Sequence, residues 1–337
     1  MTESPLSSSS ADLLGTARLS GTIEPLREMA AWEALWSEHG ASVKTIAERF
    51  RAEPGRLPSE LVSAIVVDET TSWIRESVLG GKRPFRPKIR LHGQGDYPEK
   101  LRDAVYPVEL LYYLGDWSLA FTPSVAVVGA RKVSEDGKRR CSKLVRALVD
   151  EGYTIVSGLA AGVDAVAHRT CIEQGGRTIA VLGTPLNKVY PSEHRALQTR
   201  IAAEHLLVSQ VPFKRYGEQH YRVNSRTFFP ERNVTMSALS DATVIVEASE
   251  TSGTLHQARA AIRQGRKLFI LNSCFEHPAL TWPARFEKQG AIRVQGVEDV
   301  LRALPPVKPP PAGLIPPDDG ARPDSGHMEG ARPDRNA

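Results

Sequence analysis

Three glycine-bearing turns carry residues of the kind that hold phosphate. They read Gly129-Ala-Arg131-Lys-Val-Ser134, Ser157-Gly158-Leu-Ala-Ala-Gly162-Val-Asp164 and Ser252-Gly253-Thr254. All three lead into helix-like runs, and the first two follow apolar strand-like runs. A helix start offers unpaired backbone N–H groups and the positive end of a dipole, so an anion is stabilised there. Gly129 and Gly253 permit close backbone approach. Arg131 adds a planar fork suited to a pair of phosphate oxygens, and Ser252 and Thr254 add hydroxyl donors. The plainer reading has Gly129 serving only its turn and Ser134 only capping the helix that begins at Glu135. A fourth device is Phe229-Pro230-Glu231-Arg232-Asn233, which opens a helix with proline near its first turn. Arg232 and Asn233 then point at a ligand held by the dipole, unless Arg232 pairs with a local acid such as Glu231 or Asp241.

Asp164 and His168 lie one helical turn apart, which predicts an Asp–His pair fastening the second loop beside a sheet. An acid/base dyad is the minor alternative, and no third ligand stands at metal spacing. The stretch from Phe213, Lys214, Arg215 and Tyr216 to Tyr221, Arg222, Arg226 and Phe228 mixes cations with aromatics. That mixture suits single-stranded nucleic acid, with charge tracking the backbone and rings stacking on bases, although a surface loop looks similar. Neither a Gly-Lys-Ser/Thr phosphate loop nor a nucleophile elbow occurs, so no cofactor is implied.

The elements needed to hold these turns are visible as alternation. Apolar strand-like runs recur at Leu110–Leu114, Val125–Val128, Tyr153–Val156, Thr178–Leu182, Leu206–Val208, Ala242–Glu247 and Lys267–Leu271, with helix-like runs between most of them. Continuously apolar strands separated by helices predict an α/β fold with a doubly wound, mostly parallel sheet covered on both faces. Residues 25–80 read as a small N-terminal helical domain, with Leu26, Met29, Trp32, Leu35 and Trp36 at helical spacing. Residues 81–96 are basic, bear glycine and proline, and read as a linker. Residues 1–24 and the Pro-rich 305–337 are too poor in apolar residues for a core and are expected to be disordered.

The 337 residues are 41% hydrophobic and 24% charged, with a net charge of +4. This is ordinary globular composition, and charge alone does not establish nucleic-acid binding. Cys141, Cys171 and Cys274 are scattered, as expected of small buried hydrophobes in a reducing compartment. No apolar run is long enough to cross a bilayer and no signal-peptide pattern opens the chain, so a cytoplasmic setting is expected.

The order of motifs resembles the DNA-processing protein A family (DprA, also called Smf). The similarity runs from Tyr97-Pro98-x-x-Leu101, Pro107 and Gly115-Asp116 through Val125–Arg131 and Ser157–His168. It continues through Ala180–Thr184, Tyr190-Pro191, Phe229–Asn233, Val246–Ala248, Ser252-Gly253, Gly265-Arg266 and Gly290-Ala291, covering 97–304. The resemblance implies an extended Rossmann-like domain that binds single-stranded DNA, usually as a homodimer. It also implies a role in protecting incoming DNA and loading a RecA-type recombinase during natural transformation, without catalysis. The N-terminal helices look like the small SAM-like domain of many members. Carried onto this chain, phosphates should meet Gly129, Arg131, Ser157, Gly158, Arg232, Asn233, Ser252 and Gly253.

The chain departs from the family pattern at several points. A cation is usual where Ala161 stands, a glycine at Pro185, an acid at Gln210, a second arginine at Val234 and Pro-Gly at Asn272-Ser273. Two missing cations should make the salt dependence of binding shallower. A Pro-rich tail stands where a winged-helix domain is often found. These departures keep open a nucleotide-sensing or nucleotide-processing relative, including one in phage defence. Related Rossmann-like nucleotide N-glycosidases use a glutamate where Gln257 falls, and a neutral amide cannot replace that carboxylate.

Overall fold

The computed structural model describes residues 22–81, 85–102, 104, 106–218 and 225–307. Three helices come first: α1 (Pro25–Ser37), α2 (Val43–Ala52) and α3 (Ala64–Ser77). They are followed by β1 (Lys88–Leu91), α4 (Glu99–Arg102), β2 (Leu110–Gly115), β3 (Ser124–Val128), α5 (Glu135–Asp150), β4 (Thr154–Ser157) and α6 (Val163–Glu173). Next come β5 (Thr178–Leu182), α7 (Arg195–Glu204), β6 (Leu206–Ser209), α8 (Phe213–Glu218), α9 (Ser225–Leu239), β7 (Ala242–Ile245) and α10 (Thr254–Arg263). The remaining elements are β8 (Lys267–Leu271), α11 (Asn272–Phe275), α12 (Trp282–Glu287), β9 (Ile292–Val294) and α13 (Val297–Ala303).

The nine strands form one sheet in the order β1-β2-β6-β5-β4-β3-β7-β8-β9. Strands β6 to β9 in that order pair in parallel, while β1–β2 and β2–β6 are antiparallel. The central strands are buried along their whole length, which is why they read as unbroken apolar runs. Alternate side chains serve opposite faces. Val125, Val127 and Ile155 pack with Leu144 and Val145 of α5 and Ala167 of α6. Ala126, Val128 and Val156 pack with Met236 and Leu239 of α9, Leu255 and Ala258 of α10, and Trp282 and Phe286 of α12. The sheet is thus doubly wound.

After β3 the chain adds β4, β5 and β6 on one side and then crosses to place β7 on the other. The order reverses between β3 and β7, and the crevice outside the carboxyl ends of such strands is where ligands of this fold class bind. The three glycine turns all follow or flank those ends.

The N-terminal helices do not stand apart. Trp32, Leu35 and Trp36 of α1 share one core with Leu110 and Tyr112 of β2, Ile89 of β1 and Phe213 of α8. Glu33 is fully buried in that contact and accepts hydrogen bonds from Tyr112 Oη (2.6 Å), Phe213 N (3.0 Å) and Lys214 N (2.9 Å). Burial pushes its carboxyl up to about 7, with those donors opposing the shift. The stretch 81–96, expected as a linker, contains β1. Its four residues alternate in burial and pair with β2, a signal too short to read from sequence. Of the segments 1–24 and 305–337, expected to be disordered, 1–21 and 308–337 lie outside the described residues, whereas Pro305 O accepts from Tyr153 Oη and Val307 packs against the core.

Candidate nucleic-acid interface

The turn after β3 is built by contacts with the turn after β7. Ala130 N donates to Glu247 O (2.6 Å) and Thr254 Oγ1 donates to Gly129 O (3.1 Å). A Cβ at Gly129 would stand 2.6 Å from the Val163 side chain and 2.7 Å from Glu247 O, so this position admits only glycine without a shift. Gly162 has φ +81° and lies against the carbonyls of Ala130 and Arg131. The amide of Val163, at the start of α6, donates to Ala130 O (3.1 Å). The first and second turns are therefore one packed unit.

Two of the three turns already hold a carboxylate. Ser134 caps α5 by accepting from Gly137 N (2.9 Å), as its position predicts. The Glu247 carboxylate fills the rest of that start, accepting from Ser134 N (3.1 Å) and Ser134 Oγ (2.6 Å). At the second turn the Asp164 carboxylate accepts from Gly158 N (3.2 Å) and Ala160 N (3.3 Å). Burial raises the Asp164 carboxyl and the neighbouring Arg232 charge opposes that rise. At the third start, Ser252 Oγ accepts from Thr254 N (3.2 Å) and donates to Thr254 Oγ1 (3.0 Å). Gly253 is exposed with open space where a Cβ would be, and among the described residues no carboxylate accepts from this start. The nearest acid in sequence, Glu250, is engaged by Thr281 N (2.9 Å) and Thr281 Oγ1 (2.6 Å).

The two arginines differ. Arg131 is exposed and makes no ion pair among the described residues, its guanidinium lying 5.8 Å from the centre of the Phe229 ring. Arg232, expected to face phosphate, is only 5% exposed. It donates to Gly158 O (2.5 Å), Val181 O (2.7 Å) and Asn233 Oδ1 (3.0 Å). Its guanidinium occupies the space a side chain at Gly158 would need. Arg232 therefore ties the loop after β4 to the end of β5, and instead of facing phosphate, or taking the alternative pairing with Glu231 or Asp241, it is held by these carbonyls and the charge of Asp164. Asn233 Nδ2 donates to Gly253 O (3.1 Å), fixing the start of α10. Ser157 is fully buried and its hydroxyl donates to Val127 O (2.7 Å), so it too faces inward.

Other expectations are corrected by the packing. Asp164 and His168 do not pair: the carboxylate takes loop amides, whereas His168 Nδ1 meets Thr178 Oγ1 at 2.7 Å. Burial pushes the His168 imidazole down to about 3. Among the described residues no group of three or more ligating side chains could hold a metal. Within the cationic and aromatic stretch, Phe213 stacks on Tyr112 and Phe85, Tyr216 on Phe228, and Arg215 donates to Trp36 O (2.7 Å). These residues fasten the N-terminal helices to the sheet. Tyr221 and Arg222 lie outside the described residues, as does the Arg226 side chain. Helix α9 begins at Ser225, ahead of the Phe229–Asn233 segment expected to open it, leaving Pro230 inside it. Gln257 is fully buried beside Thr243 Oγ1 (3.1 Å), turned to the core and not to the rim.

Sequence reasoning missed one feature of the rim. The half-buried Phe229 ring lies 5.7 Å from that of Tyr190, which is 42% exposed. Phe229 itself rests on Gly183, in the loop after β5. Arg131, Phe229 and Tyr190 thus form a row of one cation and two rings at the carboxyl edge of the parallel strands. The available signal was an aromatic residue before proline in each of two segments near strand ends, Tyr190-Pro191 and Phe229-Pro230.

Comparison with known proteins agrees with this geometry. Residues 88–305 match the sequence profile of the DNA recombination-mediator protein A family. Protein Smf of Synechocystis is 43% identical over 257 residues, which span 72% of this chain and 63% of that protein. The crystal structure of DNA processing protein A from Streptococcus pneumoniae superposes with a TM-score of 0.60 at 28% identity, covering 83% of this chain and 93% of that one. DNA processing protein A from Helicobacter pylori, whose structure describes a single-stranded DNA binding mode, superposes with a TM-score of 0.54 at 27% identity, over 65% of this chain and 95% of that one. Among the described residues no helix is long and apolar enough to cross a membrane. With a profile match across almost the whole sheet and the packed rim described above, the chain belongs to the DNA recombination-mediator protein A family.

Proposed function

We propose that the rim at the carboxyl ends of β3, β5 and β7 binds single-stranded DNA and that the protein is a non-catalytic mediator of recombination. The observation that carries this reading is the Arg131–Phe229–Tyr190 row. A guanidinium with no ion pair among the described residues is free to meet a phosphate, and partly exposed rings beside it give bases a stacking surface. The start of α10, where Gly253 is open and no carboxylate intrudes, offers a second phosphate contact with Ser252 alongside. Gly129, Ser134, Ser157, Gly158, Gly162, Arg232, Asn233 and Thr254 act in this reading by holding those groups in place. The Helicobacter pylori relative's single-stranded DNA binding supports the choice of ligand. In this role the protein works in the cytoplasm as a homodimer and passes its strand to a RecA-type recombinase.

Binding of labelled single strands, duplexes and mononucleotides across a salt series tests the reading. Single strands are expected to bind best, with affinity falling as salt rises. Arg131→Ala should weaken single-strand binding and reduce the log–log salt slope by about 0.7, the contribution of one phosphate on a single strand. Its melting temperature should not change. Mononucleotides that bind as tightly as oligonucleotides, with no dependence on length, would instead establish a nucleotide sensor.

A further inference from the structure

The exposed face of α10 carries a charge pattern unlike that of the protein's other charged helices. His256, Arg259 and Arg263 are all exposed, and spacings of three and four place them on one side of the helix. No Asp or Glu occurs anywhere in α10. Neither arginine makes an ion pair among the described residues, whereas several cations of other helices are matched within their own helix. Lys138 pairs with Glu135 (2.6 Å) and Arg139 with Asp136 in α5, Arg200 with Glu204 (2.9 Å) in α7, and Arg302 with Asp299 (3.4 Å) in α13. Such pairs support a helix, and α10 has no acid with which to form one. Arg263 in the last turn is favoured by the helix dipole, but that effect does not extend to Arg259 in the middle.

The row also begins in the right place. Thr254 is bonded to Gly129 O and Gly253 O to Asn233, so the first turn of α10 is part of the rim that carries Arg131. From Gly253 to Arg263 is ten residues, or about 15 Å of helix at 1.5 Å per residue. That length lets the helix lie beside more than one phosphate of a strand leaving the rim. Lys143 and Arg146 of α5 are exposed too, but they belong to a helix on the opposite face of the sheet whose start is filled by Glu247.

We propose that the His256–Arg259–Arg263 face of α10 is a second phosphate-binding segment that takes the backbone of the same single strand as it leaves the rim. The proposal rests on the reading that the rim itself binds single-stranded DNA. It makes α10 the element that sets how affinity grows with strand length.

The test uses the full chain with labelled single strands of 6 and 20 nucleotides over a salt series. Arg259→Glu/Arg263→Glu should bind the 20-mer at least tenfold more weakly with a shallower salt slope, and should bind the 6-mer almost as before. Arg259→Gln/Arg263→Gln should show the same length dependence with a smaller loss. Both sites are exposed, and circular dichroism with a melting curve checks that the variants are folded. Unchanged 20-mer binding in the charge reversal, alongside weakened binding in Arg131→Ala, overturns the proposal while leaving the rim intact. Equal losses at both lengths overturn it, as does an equal loss in Lys143→Glu/Arg146→Glu, which would show an effect of net charge alone. If Arg131→Ala binds both strands normally, the reading of the rim fails, and a loss confined to the α10 variant then marks an independent site and not an extension. Retained DNA binding with loss of an acidic protein partner would likewise overturn it.

Discussion

Arg131 and Arg232 carry the same guanidinium and meet at the same rim, yet their surroundings assign them opposite tasks. Arg131 is solvated and unpaired over a ring, while Arg232 is enclosed and spends its donors on the carbonyls of Gly158 and Val181. Removing Arg232 leaves those carbonyls short of a donor and the buried Asp164 without its opposing charge. Arg232→Ala should therefore destabilise the fold by about 3–5 kcal/mol, the range for breaking a buried charge arrangement by deleting one partner. Arg131→Ala should stay within about 0.5 kcal/mol of the parent, as exposed substitutions usually do. Urea denaturation of the two variants separates them, and equal stability would remove the positioning role assigned to Arg232. Both residues were legible in the sequence as arginines near helix starts. Which one turned inward was not, because that depends on the end of β5 arriving with a free carbonyl at Val181.

Among the elements, the helix starts show how local and distant residues divide a task. Ser134 as the cap of α5 follows from its own neighbours, and the structure has that bond. The carboxylate that completes the same start comes from Glu247, a strand crossing away. Gly162 joins the first two turns at a left-handed φ of +81°, against the Ala130 and Arg131 carbonyls. Gly162→Ala should cost at least about 1–3 kcal/mol from backbone strain, and the clash should push α6 away from the Arg131 turn. Single-strand affinity should fall together with melting temperature, unlike in Arg131→Ala. Normal affinity in a folded Gly162→Ala would separate the second turn from the interface. The buried parallel strands were legible from their unbroken apolar runs. Strand β1 was not: at the sheet edge it has four residues and a partner on one side only.

Across the whole molecule, burial of titratable groups sets a stability optimum on the acid side of neutrality. His168 is pushed down to about 3 from an ordinary 6.5, so the unfolded chain binds more protons between those values. Stability gained from the neutral imidazole is therefore lost progressively as pH falls below 6.5. Glu33 and Glu231 are both pushed up to about 7 from 4.5, chiefly by burial. The sign reverses for them, and stability is lost as pH rises from 4.5 through 7. Between 4.5 and 6.5 the two carboxyls outweigh the single imidazole, so the limbs place the maximum at roughly pH 4.5. Among the described residues, Glu231 Oε2 is buried without a hydrogen-bond partner. Glu231→Gln should therefore raise the urea midpoint at pH 8 and leave it nearly unchanged at pH 5. A parent midpoint that climbs steadily from pH 5 to pH 8 would contradict this assignment.

Taken alone, the sequence determined the α/β class, the positions of the central strands, the three glycine turns and the kinship with DNA recombination-mediator proteins. Those features are local in origin, since strand burial, turn chemistry and caps are written in runs of a few residues. Only the tertiary structure decided which groups near the rim remain free. Glu247 engages the start of α5, Asp164 takes the loop amides after β4, Arg232 turns inward, and Tyr190 and Phe229 come together from separate segments. It also decided that the N-terminal helices share a core with the sheet, with Glu33 buried between them. A side chain's freedom depends on which donors and acceptors arrive from elsewhere in the chain, and that arrival is a property of packing.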